Sequence, residues 1–300
     1  MSRVTSGSSD SVGDHATVTP AAGMIRRSYA ERLDRRLVAG SSPLTAEEVE
    51  RPAIVLAPHP DDETLGCGGL IALKRKLGVP VTVVFMTDGA LSHAHLVDPD
   101  ELRARRRIEA AHACSALGVE ADSVHHIDVR DGALEVSADE AETLLTPLLR
   151  AVRSDQLIAP HPAESPLDHQ ATFHIADRAL RRAGETMEAL LYPVWLWDQF
   201  PFTNPWSAPR DRHSSRSIVH IAARDRLGAR LPKLLTRRLD VTSVLDQKRD
   251  ALEQHATQMV RQDGYSDWST LRDIAGGDWL RRLLAPDEFY ADRLVGGVGR

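Results

Sequence analysis

From Ala53 onward, short apolar runs alternate with longer stretches in which apolar residues recur at helical spacing. The runs are "AIVLA" (53–57), "VTVVFMT" (81–87), "SVHHIDV" (123–129), "QLIAP" (156–160) and "ALLYPVWLW" (189–197). Continuous apolar runs of this length, rich in branched and aromatic residues, predict buried strands. Between them lie "ETLGCGGLIALKRKLG" (63–78), "DELRARRRIEAAHACSALGV" (100–119), "SADEAETLLTPLLRAVR" (137–153) and "QATFHIADRALRRAG" (170–184), each with helical periodicity. Strands alternating with helices imply crossover connections and a mostly parallel sheet covered on both faces. The predicted fold is α/β, a Rossmann-like three-layer sandwich.

Outside this alternation the pattern is weaker. Residues up to about Gly23 are rich in Ser, Thr and Gly and read as disordered. "MIRRSYAERLDRRLVAG" (24–40) predicts a short helix closed by Gly40, and Thr45 with Glu48 has capping-box spacing. The expected organisation is a flexible N-terminal tail with a short helix over 1–40, then a single domain over 41–300 with a C-terminal extension. The segment after Trp206 carries no clear pattern.

Composition narrows the function classes. The chain has 300 residues, 42% hydrophobic and 27% charged, with a net charge of −6. That balance argues against a nucleic-acid partner, and the basic cluster Arg103, Arg105, Arg106 and Arg107 reads mostly as a solvated helix face. Two cysteines, Cys67 and Cys114, exclude a disulfide framework and an all-thiolate zinc site. No run is long enough for a membrane span, and the N-terminus has no apolar core of a signal peptide. The expectation is a cytoplasmic protein.

The chemistry concentrates just beyond the first strand, in "PHPDDE" (58–63). Open α/β sheets place their ligand crevice at the carboxyl ends of strands, so this stretch belongs at a cleft rim. Gly66, Gly68 and Gly69 do not spell a dinucleotide fingerprint. An imidazole and a carboxylate, His59 and Asp62, suit zinc, and a catalytic zinc needs a third protein ligand. Asp168-His169 supplies one after the fourth strand, which leaves Asp61 free to act on a water. The competing reading is a solvated turn in which the acids cap the next helix.

"PHPDDE" after a strand, "TDG" (87–89), "RRIE" (106–109) and a downstream "DH" together resemble the PIG-L/LmbE-type zinc de-N-acetylases, with a weaker echo in "KRDALEQHATQM" (248–259). The resemblance implies removal of an N-acetyl group from an N-acetylglucosamine-type sugar or glycoconjugate. It makes His59, Asp62 and His169 the zinc ligands and Asp61 the general base, and it places Arg106 at the substrate. Asp88 is a further candidate to line the cleft, though a turn role explains both Asp88 and Asp131. Asp168 is a candidate to orient a ligand imidazole.

The family commonly reads H-P-D-H at the second site, where this chain has Pro166-Leu167-Asp168-His169. The oxyanion-stabilising histidine is therefore missing, and His161 or His255 is expected to fill the gap. The aromatic group Trp195, Trp197, Phe200, Phe202 and Trp206 reads as core packing or as a sugar-binding face. The expected partner is a small amino-sugar substrate, and a homo-oligomer is compatible with this reading. Two rivals are an amidase acting on another glucosamine conjugate and a catalytically weak sugar-binding descendant.

Overall fold

The structure, a computed structural model, describes residues 20–204 and 228–297. Its strands are β1 (Ser42–Pro43), β2 (Ala53–Ala57), β3 (Val81–Thr87), β4 (Val124–Val129), β5 (Gln156–Pro160), β6 (Thr186–Tyr192), β7 (Arg237–Asp240) and β8 (Asp287–Gly296). They form one eight-stranded sheet in the order β1-β7-β8-β6-β5-β2-β3-β4. β2 to β6 are mutually parallel, while β8 runs antiparallel to both β6 and β7.

Alternation along β2 shows the three layers directly. Ala53, Val55 and Ala57 point into one core, shared with α3 (Asp62–Lys76), α4 (Pro99–Ala116) and the helix Leu245–Glu253. Ile54 and Leu56 point into the other, against α5 (Ala138–Ala151) and α6 (Leu167–Ala183). A strand buried on both faces has no polar alternation, which is why the run reads as continuously apolar.

Several boundaries differ from expectation. β6 ends at Tyr192 because Pro193 has no N–H to donate, and Trp195–Trp197 is a 3₁₀ turn. The N-terminal helix α1 (Pro20–Gly40) is 21 residues long and docks through buried Leu33 and Leu37, so this stretch of the tail is bound to the body. The capping box of α2 (Ala46–Val49) is present, with Glu48 N–H donating to Thr45 Oγ1 and Thr45 N–H to Glu48. The C-terminal extension contributes β7 and β8, neither expected. Residues 1–19 and 205–227, Trp206 among them, lie outside the described residues. Among the described residues no helix is long and apolar enough to cross a membrane.

The glycine-rich start of α3 has a structural cause. Cys67 sits at φ −147°, ψ 19°, so α3 is two helices meeting at a kink. The break frees the N–H groups of Gly69 and Leu70, and the buried carboxylate of Glu288 accepts both, at 2.7 and 3.0 Å. Lys248 Nζ neutralises Glu288 at 2.8 Å and also donates to Leu65 and Leu283 carbonyls. A side chain at Gly66 would meet the Tyr192 ring at 2.1 Å, so the helix approaches the sheet only because that position is bare.

Lys248→Met should cost about 3–5 kcal/mol, because it leaves Glu288 charged and unpaired in the core. Urea denaturation measures this, and an unchanged midpoint would show that Glu288 needs no cation.

Candidate active site

The topology locates the crevice. β2 pairs with both β3 and β5. The chain leaves β2 to build β3 and β4 on one side, then returns to β5 on the other. The carboxyl ends of β2 and β5 therefore flank the switch point where such sheets bind ligands. His59 to Glu63 follow the first of these strands, and His161 to His169 follow the second.

Asp61, Asp62 and Glu63 are 8%, 2% and 0% exposed, and Asp61 places no side-chain hydrogen bond on the start of α3. A solvated capping turn would show neither feature. Asp61 instead holds a backbone φ of 143°, a conformation that disfavours any side chain and costs on the order of 1–3 kcal/mol. Its N–H donates to Glu63 Oε2 at 3.0 Å. One carboxylate oxygen, Oδ2, accepts from Gln258 Nε2.

Asp62 Oδ2 lies 3.2 Å from His59 Nδ1 and 3.3 Å from His169 Nε2. His59, Asp62 and His169 can each offer one ligand atom such that the three lie within 4.8 Å of one another. Both ring nitrogens of His169 are buried without a completed hydrogen bond, although Glu164 Oε2 approaches Nδ1 to 3.3 Å. Two imidazoles and a carboxylate, with an unsatisfied nitrogen facing the shared point, form a donor set that suits zinc. The far side of the His59 ring is fixed by acids: Nε2 lies 3.2 Å from Asp168 Oδ2 and 3.3 Å from Asp131 Oδ1. Asp168 is held in turn by the N–H groups of Gly132 and Leu134, at 2.7 and 3.2 Å.

The charges respond to this crowding. Burial opposes protonation of His169, but Asp62 and Glu164 outweigh it and lift the ring to about 9. Burial likewise opposes a charged His59, and hydrogen bonds with Asp131, Asp168 and Asp62 raise it well above the usual imidazole range. Asp62 is lowered against its burial by His169 and His59. Asp61 is raised to about 7 by burial and then by the charge of Asp62, with His255, Arg106 and His59 pulling the other way. The acids favour positive charge on the two imidazoles, and a divalent cation on the same atoms would meet the same demand.

The remaining candidates divide. Arg106 is 3% exposed, so it does not belong to a solvated face; it donates to Gly89 O and, at 2.8 Å, to Ser92 Oγ. It does not pair with Glu109, whose carboxylate takes Thr257 N–H and Oγ1–H at 2.9 and 2.7 Å. Asp88 is buried, with Oδ1 accepting from Ala90 and Asp131 N–H and Oδ2 accepting from Arg103. About four lone-pair positions are all a carboxylate has, so Asp88 builds the loop and has none left for a substrate. His255 is fully buried with Nε2 on Glu63 at 2.9 Å. His161 is 6% exposed, its Nδ1 accepting from Ala163 N–H at 3.0 Å. The aromatics pack: Trp197 and Phe202 flank the Arg282 guanidinium at 4.1 and 4.9 Å, Trp195 stacks on Trp279, and Phe200 on Tyr29.

Three residues escape sequence reasoning. Glu63 stands in the motif itself but reads only as a helix-start acid. Glu164 accepts the N–H groups of Val194, Trp195 and Leu196 while facing His169. Gln258 lies in the C-terminal echo, and nothing in its spacing ties it to Asp61.

Residues 54–180 match the PIG-L family, described as GlcNAc-PI de-N-acetylase. The chain is 31% identical over 136 residues to the "Probable N-acetyl-alpha-D-glucosaminyl L-malate deacetylase 2" of Bacillus subtilis, a match spanning 43% of this chain and 60% of that relative. It is 27% identical over 278 residues to the 1D-myo-inositol 2-acetamido-2-deoxy-alpha-D-glucopyranoside deacetylase of Thermobispora bispora, covering 77% of this chain and 86% of the relative. Among solved structures, N,N'-diacetylchitobiose deacetylase from Pyrococcus horikoshii shares the fold with a TM-score of 0.56 at 20% identity, over 89% of this chain and 92% of that one.

Elemental analysis of the purified protein should find about one divalent ion per chain, lost in His169→Ala with the fold intact. No ion, and none taken up on reconstitution, would leave the three atoms a hydrogen-bonded cluster.

Proposed function

Because the chain belongs to the PIG-L-type de-N-acetylase family through residues 54–180, we propose that it hydrolyses the N-acetyl group of an N-acetylglucosamine-type sugar or glycoconjugate. The observation that carries this reading is the convergence of His59 Nδ1, Asp62 Oδ2 and His169 Nε2 beside a buried, strained Asp61. Zinc held by those three residues would supply Lewis acidity toward the acetamide carbonyl and acidify a water.

The chain's own groups then divide the proton work. Gln258 engages Asp61 Oδ2, so Oδ1 receives the proton as water adds to the acetamide carbon. The same carboxyl returns that proton to the nitrogen as the C–N bond breaks, giving acetate and a free amine. Asp131 and Asp168 keep the His59 ring turned so that Nδ1 meets Asp62. Arg106 ties down the loop that follows β3 through its contacts with Gly89 and Ser92.

Pro166 offers no donor to a developing oxyanion, and His161 is the candidate replacement. Burial lowers its pKa and keeps the ring neutral, and Nδ1 already accepts from Ala163, so its proton sits on Nε2 as a donor. His255 spends Nε2 on Glu63 and acts on Asp61 through that carboxylate.

Acetate release from a panel of N-acetylglucosamine conjugates tests the assignment. Asp61→Asn should keep its metal and lose on the order of 10²–10⁴ in rate. In the wild type, turnover should rise with pH as the buried Asp61 carboxyl ionises, since Asp61 accepts a proton only when charged; a profile with no acid limb would remove Asp61 as the base. His161→Ala should lose about a hundredfold to a thousandfold in kcat, and a near-wild-type rate would exclude it as the oxyanion donor.

A further inference from the structure

The C-terminal extension reaches Asp61 directly through Gln258 and indirectly, by way of Glu63, through His255. His255 Nε2 meets Glu63 Oε1 at 2.9 Å, and Glu63 Oε2 accepts the Asp61 N–H at 3.0 Å. Three residues along, Gln258 Nε2 donates to Asp61 Oδ2. The segment between is itself fixed: Thr257 donates to Glu109 through both N–H and Oγ1, and its carbonyl accepts from Trp268 Nε1 at 2.8 Å. This short, hydrogen-bonded turn therefore holds the Asp61 carboxylate directly and braces its backbone N–H through Glu63.

Gln258 is 5% exposed, and among the described residues its own Oε1 is buried with no hydrogen-bond partner. Leaving a buried carbonyl unsatisfied costs about 1–3 kcal/mol. A glutamine selected for packing would satisfy both ends or be replaced by an apolar residue of the same length. Here one end is sacrificed while the other is held against Asp61.

We propose that Gln258 is a positioning residue for the deacetylation reaction: it anchors Asp61 Oδ2 and so aims Oδ1 at the attacking water and the leaving nitrogen. The inference rests on the proposed function and adds a residue supplied from outside the matched region 54–180. The C-terminal extension thereby belongs to the catalytic apparatus as well as to the sheet.

Gln258→Met tests this, since it keeps the side chain's length, removes the donor and removes the orphaned carbonyl. The melting temperature and the metal content should equal or exceed those of the wild type. KM should stay within about twofold while kcat falls about a hundredfold, the scale of a misplaced catalytic group. Gln258→Glu, which sets a second carboxylate against Asp61, should also lose kcat with metal retained. A Met variant with wild-type kcat overturns the proposal, as does a loss of metal or stability that parallels the loss of rate. Failure of both variants to fold overturns it too, by making Gln258 structural. Absence of turnover in the metal-loaded wild type would instead refute the deacetylase reading itself, which separates the two failures.

Discussion

The organising constraint is the burial of three consecutive acids at the end of a central strand. Carboxylates removed from water must find opposite charge or fixed donors, or else take up protons. Each of the three finds a different answer. Asp62 faces two imidazoles, His59 and His169. Glu63 is met by the Asp61 N–H, the Thr64 hydroxyl and His255. Among the described residues Asp61 has only Gln258 on one oxygen, and it is the acid whose proton affinity rises toward neutrality. Under the proposed function, these unequal surroundings would make Asp62 a ligand, Glu63 a brace and Asp61 a proton carrier.

Around this centre the supporting groups come from loops at the carboxyl ends of the neighbouring strands. Asp131 follows β4, and Asp168 and Glu164 follow β5, and each faces a histidine while also accepting backbone N–H groups. An acid tied to a rigid backbone can fix a ring's orientation, whereas a free side chain cannot. Asp88 acts in the same way farther from the centre, tying Asp131 N–H and Arg103 together.

The C-terminal extension links stability to the site. Glu288 of β8 and Lys248 seal the kink in α3, the helix that begins at Asp62. The segment from His255 to Gln258, a short turn beyond Lys248, reaches the acids themselves. Pro166 at the start of α6 marks the other distinctive feature: with φ −69° and ψ 140° it enters the helix without strain and makes no side-chain cap. His169 thus keeps its place in the helix while the donor expected three residues earlier is absent.

The alternation of apolar runs and helical periods determined the five parallel strands, because a strand buried on both faces must be apolar at every position. It also placed His59, Asp62 and His169 at strand ends, where an open parallel sheet gathers them. The docked N-terminal helix, β7 and β8 were not legible: α1 is polar over most of its length, β7 is four residues of which three are charged, and β8 carries charges along a partly exposed face instead of a continuous apolar run. The environment of each acid was also beyond reach. Asp88 and Asp131 each open an acid-glycine turn after a strand, yet one spends its oxygens on the loop and the other faces His59. Gln258 meets Asp61 across 197 residues of chain. Sequence spacing encodes which residues share an element, but which buried oxygen finds which donor depends on contacts between elements, and only the tertiary structure decided those.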